Sequence, residues 1–550
     1  MKRPPARTAI LECADSYFGP LARSFPVQCA SDEFLNFPRA SRAVRYMDRL
    51  DDLDQDAVSG HVRRVKGIVA RLSELPCDDI EDEIDVEMLT RSAYRLLSEL
   101  EADAVHRHEP QLYLRIALIG VNHTLYKRAS RGGEREEWIA RRLSGIPRLL
   151  RQGGANLRSA PDAAKAATLE MIEQCSGFFR RDLLRHLEMS HPDRRGWGKL
   201  ARAALEALDE YRSRVKSLPP GSRRPDATSV LNGLLRRSYG CRRTPKEIFE
   251  LAREEERRVL KSLKKTARSI DPSRSWVELS AEVDPGVGSP KGLLRLYRDE
   301  TASLRAFFRG LGMRHLLSGP AVSVAETPRY LNALRVAASY NSPLSRHPEE
   351  PAYFYIAPTD PSWSPRARRE NIRRVHNEYV FTSAHETYPG HHSLDSLRLR
   401  HRNPVRRQIE SPFFYEGWSC YAERWIDDLG YLRDPRQRLL LLKRALWRAH
   451  RAMIDVGLGT GRLDVGGACS LLAKLGFGRK DVLKQVRRYS LTRGYQLCYF
   501  LGGYEILRLR SRFQGKLGAR RFHKALLDGG QIPFARVGQR MRSLLNSRAT

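Results

Sequence analysis

Apolar residues recur every three or four positions through much of this 550-residue chain, which is the spacing of amphipathic helices. The clearest run predicts a helix over residues 80–104, with one apolar stripe and charged residues outside it. Residues 1–60 have no long period and predict short helices and loops. The N-terminal half is therefore predicted to be a helical scaffold. Similar spacing predicts further helices at about 112–126, 134–152, 161–189 and 198–217.

The clearest interruption of this pattern is Leu218-Pro219-Pro220-Gly221-Ser222. Paired prolines next to Gly and Ser stop helices and favour an extended connection. We use this break to divide the chain into an N-terminal helical lobe, residues 1–218, and a C-terminal lobe, residues 219–550. One continuous bilobed body is the alternative.

Two helix starts follow the break. Thr244-Pro245-Lys246-Glu247 has an N-cap residue, a proline in the first turn and a glutamate for a capping box. It predicts a helix that ends near Ser269. Ser289-Pro290 predicts a second helix that ends near Arg309. Helix is also predicted from about Ala367 through His376.

One β-prone run stands out from the helical pattern. Residues 352–357, Ala-Tyr-Phe-Tyr-Ile-Ala, lie between Pro351 and Pro358. As an edge strand this run could align an extended peptide through main-chain hydrogen bonds. A buried connecting strand is the alternative. The sequence thus predicts a mostly α-helical protein with a small edge β element.

The charge is strongly basic, since 97 Lys and Arg against 64 Asp and Glu give a net charge of +33. Such a charge attracts nucleic acid or anionic lipid. The excess is spread along the whole chain, however, without an aromatic-interleaved block or a nucleic-acid-binding motif. We therefore expect a solvated basic surface and no specific nucleic-acid partner.

The cysteine content and the lengths of the apolar segments indicate the cellular compartment of the protein. The eight cysteines are scattered without a C-x-x-C pair, which is typical of free, mostly buried thiols in a reducing compartment. No run of 18 apolar residues predicts a membrane span, and Glu12 and Asp15 interrupt any apolar core of an N-terminal signal. We expect a cytoplasmic protein with no membrane partner. The sequence does not indicate an oligomeric state.

Metal-binding side chains are concentrated in one block, Ala384-His385-Glu386-Thr387-Tyr388-Pro389-Gly390-His391-His392. In zinc hydrolases two histidines four residues apart on a helix bind the ion, and the Glu after the first is the general base. Here the fourth position after His385 is Pro389, which interrupts a helix. On a regular helix His392 would lie about 10 Å along the axis from His385, too far for one ion. A metal site therefore requires a bulge at Pro389-Gly390.

The His-Glu-x-x-Pro-Gly-His-His block, followed by Glu416-Gly417-Trp418 and Glu423, resembles bacterial domain-of-unknown-function family 885. That family is similar to the all-helical zinc carboxypeptidases of the Taq and neurolysin-like kind. The resemblance covers roughly the last 200 residues well. It implies a large bilobed helical zincin-like fold, one Zn²⁺ per chain and a short peptide as substrate.

The resemblance also implies roles for the residues of the block. His385, His391 and Glu416 would be the zinc ligands, and Glu386 the general base. His392 is the alternative second ligand, or would contact the substrate or the oxyanion.

Further residues are assigned near the ligands or the substrate. Glu423, two turns after Glu416 on the same helical face, would orient a ligand histidine, or is an ordinary surface acid. Arg493-Gly494-Tyr495 and Tyr499 resemble the family's C-terminal motif. Tyr499 would donate to the oxyanion, and Arg493 would hold a substrate carboxylate. Tyr495 belongs to the same set, although aromatic residues at this spacing are also typical of a core.

The chain departs from the family pattern at three places. Gly459, the last residue of Asp455-Val456-Gly457-Leu458-Gly459, stands where the family has a histidine. Arg493-Gly494 stands where the family often has a proline. Leu394 stands where the family commonly has a glutamine. The expected metal ligands are all present, whereas some of the residues expected to contact the substrate differ from the family pattern. We therefore expect a zinc-dependent peptide hydrolase, a carboxypeptidase or dipeptidase. The alternatives are a metal-binding protein without activity and a hydrolase of another amide or C–N bond.

Overall fold

The structure is a computed structural model that describes residues 6–190, 196–221, 227–328, 331, 337–345, 350–360 and 362–546. It is mostly helical, with one small sheet. None of the described helices is both long and apolar enough to cross a membrane. The helices before the predicted break are α1 (Ala6–Ser24), α2 (Pro26–Ala30), α3 (Gln55–Ser73), α4 (Ile80–Leu97), α5 (Val105–His108), α6 (Gln111–Tyr126), α7 (Glu134–Asn156), α8 (Asp162–Gly177), α9 (Leu184–Ser190) and α10 (Trp197–Ser217).

The helices after the break include those that form the candidate site. They are α11 (Ala227–Gly233), α12 (Pro245–Ile270), α13 (Trp276–Ala281), α14 (Pro290–Gly310), α15 (Pro365–His376), α16 (Tyr379–Glu386), α17 (His391–Arg400), α18 (Pro404–Gln408), α19 (Pro412–Asp428), α20 (Pro435–Thr460), α21 (Val465–Ala473), α22 (Arg479–Leu491), α23 (Gln496–Leu517), α24 (Ala519–Leu527) and α25 (Phe534–Asn546).

The helices predicted from apolar spacing are confirmed as α4, α6, α7, α8 with α9, and α10. Two of them contain a π-helical turn, at Ser98–Ala102 after α4 and at Phe178–Leu183 between α8 and α9. The prediction of only short helices in residues 1–60 is wrong. Helix α1 has 19 residues, and much of its buried face consists of small side chains such as Ala6, Ala9 and Ala14, which give a weak periodic signal.

Both predicted helix starts are confirmed. Thr244 Oγ1 accepts a hydrogen bond from the Glu247 N–H, while the Glu247 carboxylate accepts from the Thr244 N–H at 2.7 Å. Ser289 caps α14 by accepting from the Gly292 N–H at 3.1 Å. These side chains satisfy amide groups that have no partner within the helix.

The predicted break is an extended connection after α10. The Gly221 N–H donates to the Ala160 carbonyl at 3.1 Å, which holds the connection against the segment before α8; Ser222 lies outside the described residues. Apolar side chains from Ile10 to Met541 belong to one packed cluster that draws on both halves of the chain. The division into two lobes stays a prediction.

The sheet has three strands, β1 (Ser323–Glu326), β2 (Ala338–Asn341) and β3 (Tyr353–Ile356), in the order β1-β3-β2. Strand β3 is parallel to β1 and antiparallel to β2. The predicted edge position of residues 352–357 is therefore wrong, because β3 is central and both neighbours use its backbone groups. The edge strand next to α16 is β2, whose four residues gave no sequence signal.

The eight cysteines form no disulfide, and six of them are buried, as predicted. They are the buried Cys13, Cys29, Cys175, Cys241, Cys420 and Cys498, the partly buried Cys469, and the exposed Cys77.

Helices α19 and α23 meet through two glycines. A Cβ atom on Gly502 would lie 2.1 Å from the Phe413 carbonyl oxygen and 2.7 Å from the Gly417 Cα. A Cβ on Gly417 would lie 2.5 Å from the carbonyl carbon of Gly502. The two backbones therefore touch directly. This contact sets the distance between the helix that carries Glu416 and the helix that carries Tyr499.

We predict that Gly502→Ala destabilises the protein by at least about 1–3 kcal/mol, because the added methyl group meets rigid backbone. Gly515→Ala on the same helix is the matched control, since no atom lies within 4 Å of its Cβ position. Replacing that glycine is expected to be neutral or to stabilise by up to about 1 kcal/mol. Urea unfolding followed by circular dichroism measures both, and equal effects of the two substitutions would contradict the close contact.

Candidate metal centre

The chain reverses sharply between α16 and α17. Helix α16 ends at Glu386 and α17 begins at His391, with a cis peptide bond between Tyr388 and Pro389. The Gly390 N–H donates to the Ala384 carbonyl at 3.0 Å, and a Cβ on Gly390 would lie 1.9 Å from the His385 carbonyl oxygen. The bulge expected at Pro389-Gly390 is present, and only glycine leaves room for it.

This reversal brings three ligand-type side chains together. His385 Nε2 lies 3.4 Å and His391 Nε2 lies 3.5 Å from Glu416 Oε2. All three residues are buried, and their candidate ligand atoms lie within 4.8 Å of one another. Glu416 Oε2 accepts no hydrogen bond from any residue that the structure describes. A buried carboxylate oxygen between two imidazole nitrogens is the environment that a bound cation would satisfy.

The separations fit zinc. Nitrogen and oxygen ligands at 2.0–2.1 Å around a tetrahedral ion lie about 3.4 Å apart. Two imidazoles and one carboxylate are also a donor set of catalytic zinc sites, which leave a fourth position open. His385, His391 and Glu416 could therefore hold one Zn²⁺ ion.

His392 does not join this cluster. Its Nε2–H donates to the Pro320 carbonyl at 2.9 Å, and its Nδ1 lies 3.4 Å from the Tyr340 hydroxyl. Burial lowers the pKa of His392 to about 4, so the ring is neutral. Of the two adjacent histidines, the geometry places only His391 beside Glu416.

Each of the two histidines beside Glu416 is held by a hydrogen bond through its other ring nitrogen. His385 Nδ1–H donates to Glu423 Oε1 at 2.8 Å, and His391 Nδ1 lies 2.9 Å from Ser419 Oγ. Both rings therefore present Nε2 to Glu416. Burial lowers the pKa of His385, but the neighbouring Cys420 thiol and the Glu416 and Glu423 carboxylates outweigh burial and raise that pKa well above its usual range.

Glu423 is itself fixed by two arginines on α20. Arg444 Nε and Nη2 donate to its two oxygens at 2.6 and 2.8 Å, and Arg448 also donates to Oε1. Burial favours a raised pKa for Glu423, but the two guanidinium groups outweigh it and hold that pKa well below its usual range. The ordinary-surface-acid alternative for Glu423 is wrong, since the residue is completely buried.

Glu386 is partly buried and directly follows the first ligand. Its Oε2 accepts the Tyr340 N–H at 2.9 Å. Tyr340 lies in the edge strand β2, and the register with β3 turns this N–H away from the sheet. The backbone of β2 therefore fixes one oxygen of the candidate base, while no described residue hydrogen-bonds to Oε1.

Two tyrosines at the start of α23 connect this part of the chain to Glu416. Tyr499 lies in α23, and Tyr495 directly precedes the helix. The Tyr495 hydroxyl donates to Glu416 Oε1, and the Tyr499 hydroxyl donates to the Tyr495 oxygen at 3.3 Å. The Tyr499 ring is parallel to the His385 ring at 6.3 Å, and the Arg451 guanidinium lies 3.5 Å above it. Burial raises the pKa of both tyrosines, so both hydroxyls remain protonated donors.

Arg493 lies near the position where the family resemblance led us to expect a histidine. A Cβ on Gly459 would lie 3.9 Å from Arg493 Cγ. Arg493 makes no hydrogen bond or ion pair within the described part of the chain, and its Nε is buried without a partner. It is therefore a candidate for binding an anionic group.

Comparison with known families agrees with the sequence motifs. The profile of the family described as "Bacterial protein of unknown function (DUF885)" matches residues 38–541. This chain belongs to the DUF885 family. No curated protein matches it.

Two solved structures share the fold of this DUF885 protein. One, described as a candidate lipoprotein of unknown function from Shewanella oneidensis, superposes with a TM-score of 0.73 at 16% identity, over 98% of this chain and 100% of the other. The second, a candidate lipoprotein from Colwellia psychrerythraea, gives a TM-score of 0.74 at 16% identity, over 98% and 99%. At this identity the similarity shows the fold alone.

Sequence reasoning missed several groups around the centre of this DUF885 protein. Ser419 follows Glu416 by three positions, so it lies on the same helical face, and that spacing was a usable signal. Arg444 and Arg448 are four residues apart on α20, but nothing local shows that they face Glu423. The Tyr340 N–H belongs to the unpredicted strand β2.

We predict that Glu423→Gln weakens zinc binding by about 10- to 100-fold, because it removes the carboxylate that orients His385. Glu282→Gln is the control, since that glutamate is exposed and pairs with Arg274 at the surface. Competition with a fluorescent chelator measures the affinity, and circular dichroism verifies folding. Equal zinc affinity in Glu423→Gln and wild type would show that Glu423 has no orienting role.

Proposed function

We propose that this protein is a zinc-dependent hydrolase of peptide amide bonds that acts on short peptides near their C-terminus. The observation that carries the proposal is the convergence of His385, His391 and Glu416 on one point, directly beside Glu386. Bound Zn²⁺ would act there as a Lewis acid on the amide carbonyl and would make water more acidic.

Glu386 would take the proton from the attacking water and later donate it to the leaving amine. The Tyr340 N–H binds Glu386 Oε2 and so fixes the carboxylate, while Oε1 remains available to the water. The same hydrogen bond places β2, an edge strand of the sheet, next to this base.

Tyr499 would stabilise the negative charge that develops on the carbonyl oxygen. Its hydroxyl donates to Tyr495, which in turn binds Glu416, so the Tyr499 donor lies close to the candidate ligands. Arg451 above its ring holds Tyr499 in place. Arg493, which has no acidic partner among the described residues, would bind the substrate carboxylate.

A metal-binding protein without hydrolytic activity is the second candidate. Gly459 favours it, because that position lacks the histidine of the family pattern. A hydrolase of another amide or C–N bond would use the same ligands and the same base.

We predict that Glu386→Gln keeps zinc but lowers peptide hydrolysis by about 10²- to 10⁴-fold, because the proton acceptor is lost. His385→Ala is expected to lose both zinc and activity. Elemental analysis gives the zinc content, and mass spectrometry of a short-peptide library gives the cleavage. Exposed Glu370→Gln is the control and should behave like wild type. A zinc-loaded wild type that cleaves no peptide would contradict the hydrolase and leave the metal-binding protein.

We also predict that Arg493→Met raises the KM for peptides with a free C-terminal carboxylate by about tenfold or more, since a charged hydrogen bond of at least about 1.5 kcal/mol is lost. Peptides with an amidated C-terminus should be affected little. The exposed Arg487→Met is the control on the neighbouring helix α22. If Arg493→Met changes the KM of both peptide classes equally, Arg493 does not bind the substrate carboxylate.

A further inference from the structure

A small cavity lies away from the metal centre, between α4, the first turn of α19 and the segment that precedes α25. Its volume is about 20 Å³, enough for one or two water-sized particles. Aromatic rings form much of its wall. The lining includes Arg95, Ser238, Tyr239, Phe413, Gln531 and Phe534.

Arg95 brings an uncompensated positive charge to this cavity. The residue is 3% exposed, and its Nη2 donates to the Glu410 carbonyl at 2.6 Å. Its Nε and Nη1 have no hydrogen-bond partner, and no carboxylate of the described residues forms an ion pair with it. Burial lowers the pKa of Arg95. The Glu410 carboxylate favours the charged form of Arg95 from a distance but forms no ion pair with it. A buried charge without a direct ion-pair partner is unfavourable, so an anion at this position would be stabilising.

Gln531 adds another unused donor. Its Oε1 accepts the Ser411 N–H at 2.9 Å, which fixes the orientation of the amide. Its Nε2 is then buried and finds no acceptor in the described part of the chain. The cavity therefore offers unpaired N–H groups from two buried side chains, and a ligand that satisfies them must be a hydrogen-bond acceptor.

The start of helix α19 favours the same kind of ligand. Ser411 is the N-cap residue, but its side chain makes no capping hydrogen bond. The positive end of the helix dipole thus lies at the cavity wall formed by Ser411 and Phe413. Water could accept the hydrogen bonds, but it would neutralise neither the guanidinium charge nor the dipole.

We propose that this cavity binds one small monovalent anion of halide size, held by Arg95 and Gln531 at the N-terminus of α19. The small volume and the aromatic wall favour a halide over larger carboxylates and phosphate. Helix α19 carries Glu416, Ser419 and Glu423, so the bound anion would stabilise the start of the helix that builds the metal centre. The site does not depend on the hydrolytic function.

Thermal unfolding in chloride tests this proposal. Wild-type protein is transferred from sodium gluconate to sodium chloride at constant ionic strength. We expect the unfolding midpoint to rise saturably, by about 2 °C at a hundredfold excess over the dissociation constant, because only the folded state binds the anion. Arg95→Met should abolish the rise. Arg91→Met is the matched control, since Arg91 lines the same cavity but donates to the Glu87 carboxylate, and it should keep the rise.

The proposal is overturned if chloride and gluconate give the same midpoint for wild type, or if Arg95→Met retains the chloride response. Should Arg95→Met fail to fold, crystals of the wild-type protein grown in bromide decide the matter through anomalous diffraction. A bromide peak within hydrogen-bonding distance of Arg95 and Gln531 is the expected result. No peak at that position would mean that water alone fills the cavity.

Discussion

The carboxylate of Glu416 is the group on which the arrangement of this site depends. It is buried on α19 with two imidazole nitrogens within 3.5 Å of Oε2 and a tyrosine hydroxyl on Oε1. Taking such a charge out of water is unfavourable by several kcal/mol unless partners compensate it. His385, His391 and Tyr495 are those partners, and they come from three different segments of the chain. A cation bound between the two imidazoles and the carboxylate would complete the compensation.

Close backbone contacts bring these segments together. Gly390 allows the chain to turn back on His385, and Gly417 and Gly502 allow α19 and α23 to touch. Outside this frame, Glu423 and its two arginines fix one imidazole, and Ser419 fixes the other. The ligand positions thus depend on packing and on hydrogen bonds that are already made within the protein. This is the preorganisation that a catalytic metal site requires.

The sequence predicted much of the helical scaffold because helix periodicity and capping are local properties. Thr244 with Glu247 is an example, since four adjacent residues contain the whole signal. Short strands contain little such signal, so β1 and β2 were missed and β3 was wrongly taken as an edge strand. Helix α1 was missed because small residues on its buried face weaken the periodicity.

The candidate site shows the same division between local and long-range information. The position of Pro389 alone required a bulge, because a regular helix would separate the histidines too far. Spacing could not decide between His391 and His392, since that choice depends on how the chain returns at Gly390. The partners of Glu423 could not be predicted at all, because Arg444 lies on another helix and meets it only through tertiary packing.

We propose that His385, His391 and Glu416 together bind one Zn²⁺ ion. Anomalous diffraction at the zinc absorption edge, from crystals of the wild-type protein supplied with one equivalent of zinc, tests it most directly. We expect a single strong peak about 2.0–2.2 Å from His385 Nε2, His391 Nε2 and a Glu416 oxygen. No peak there, or a peak bound instead through His392, would contradict it.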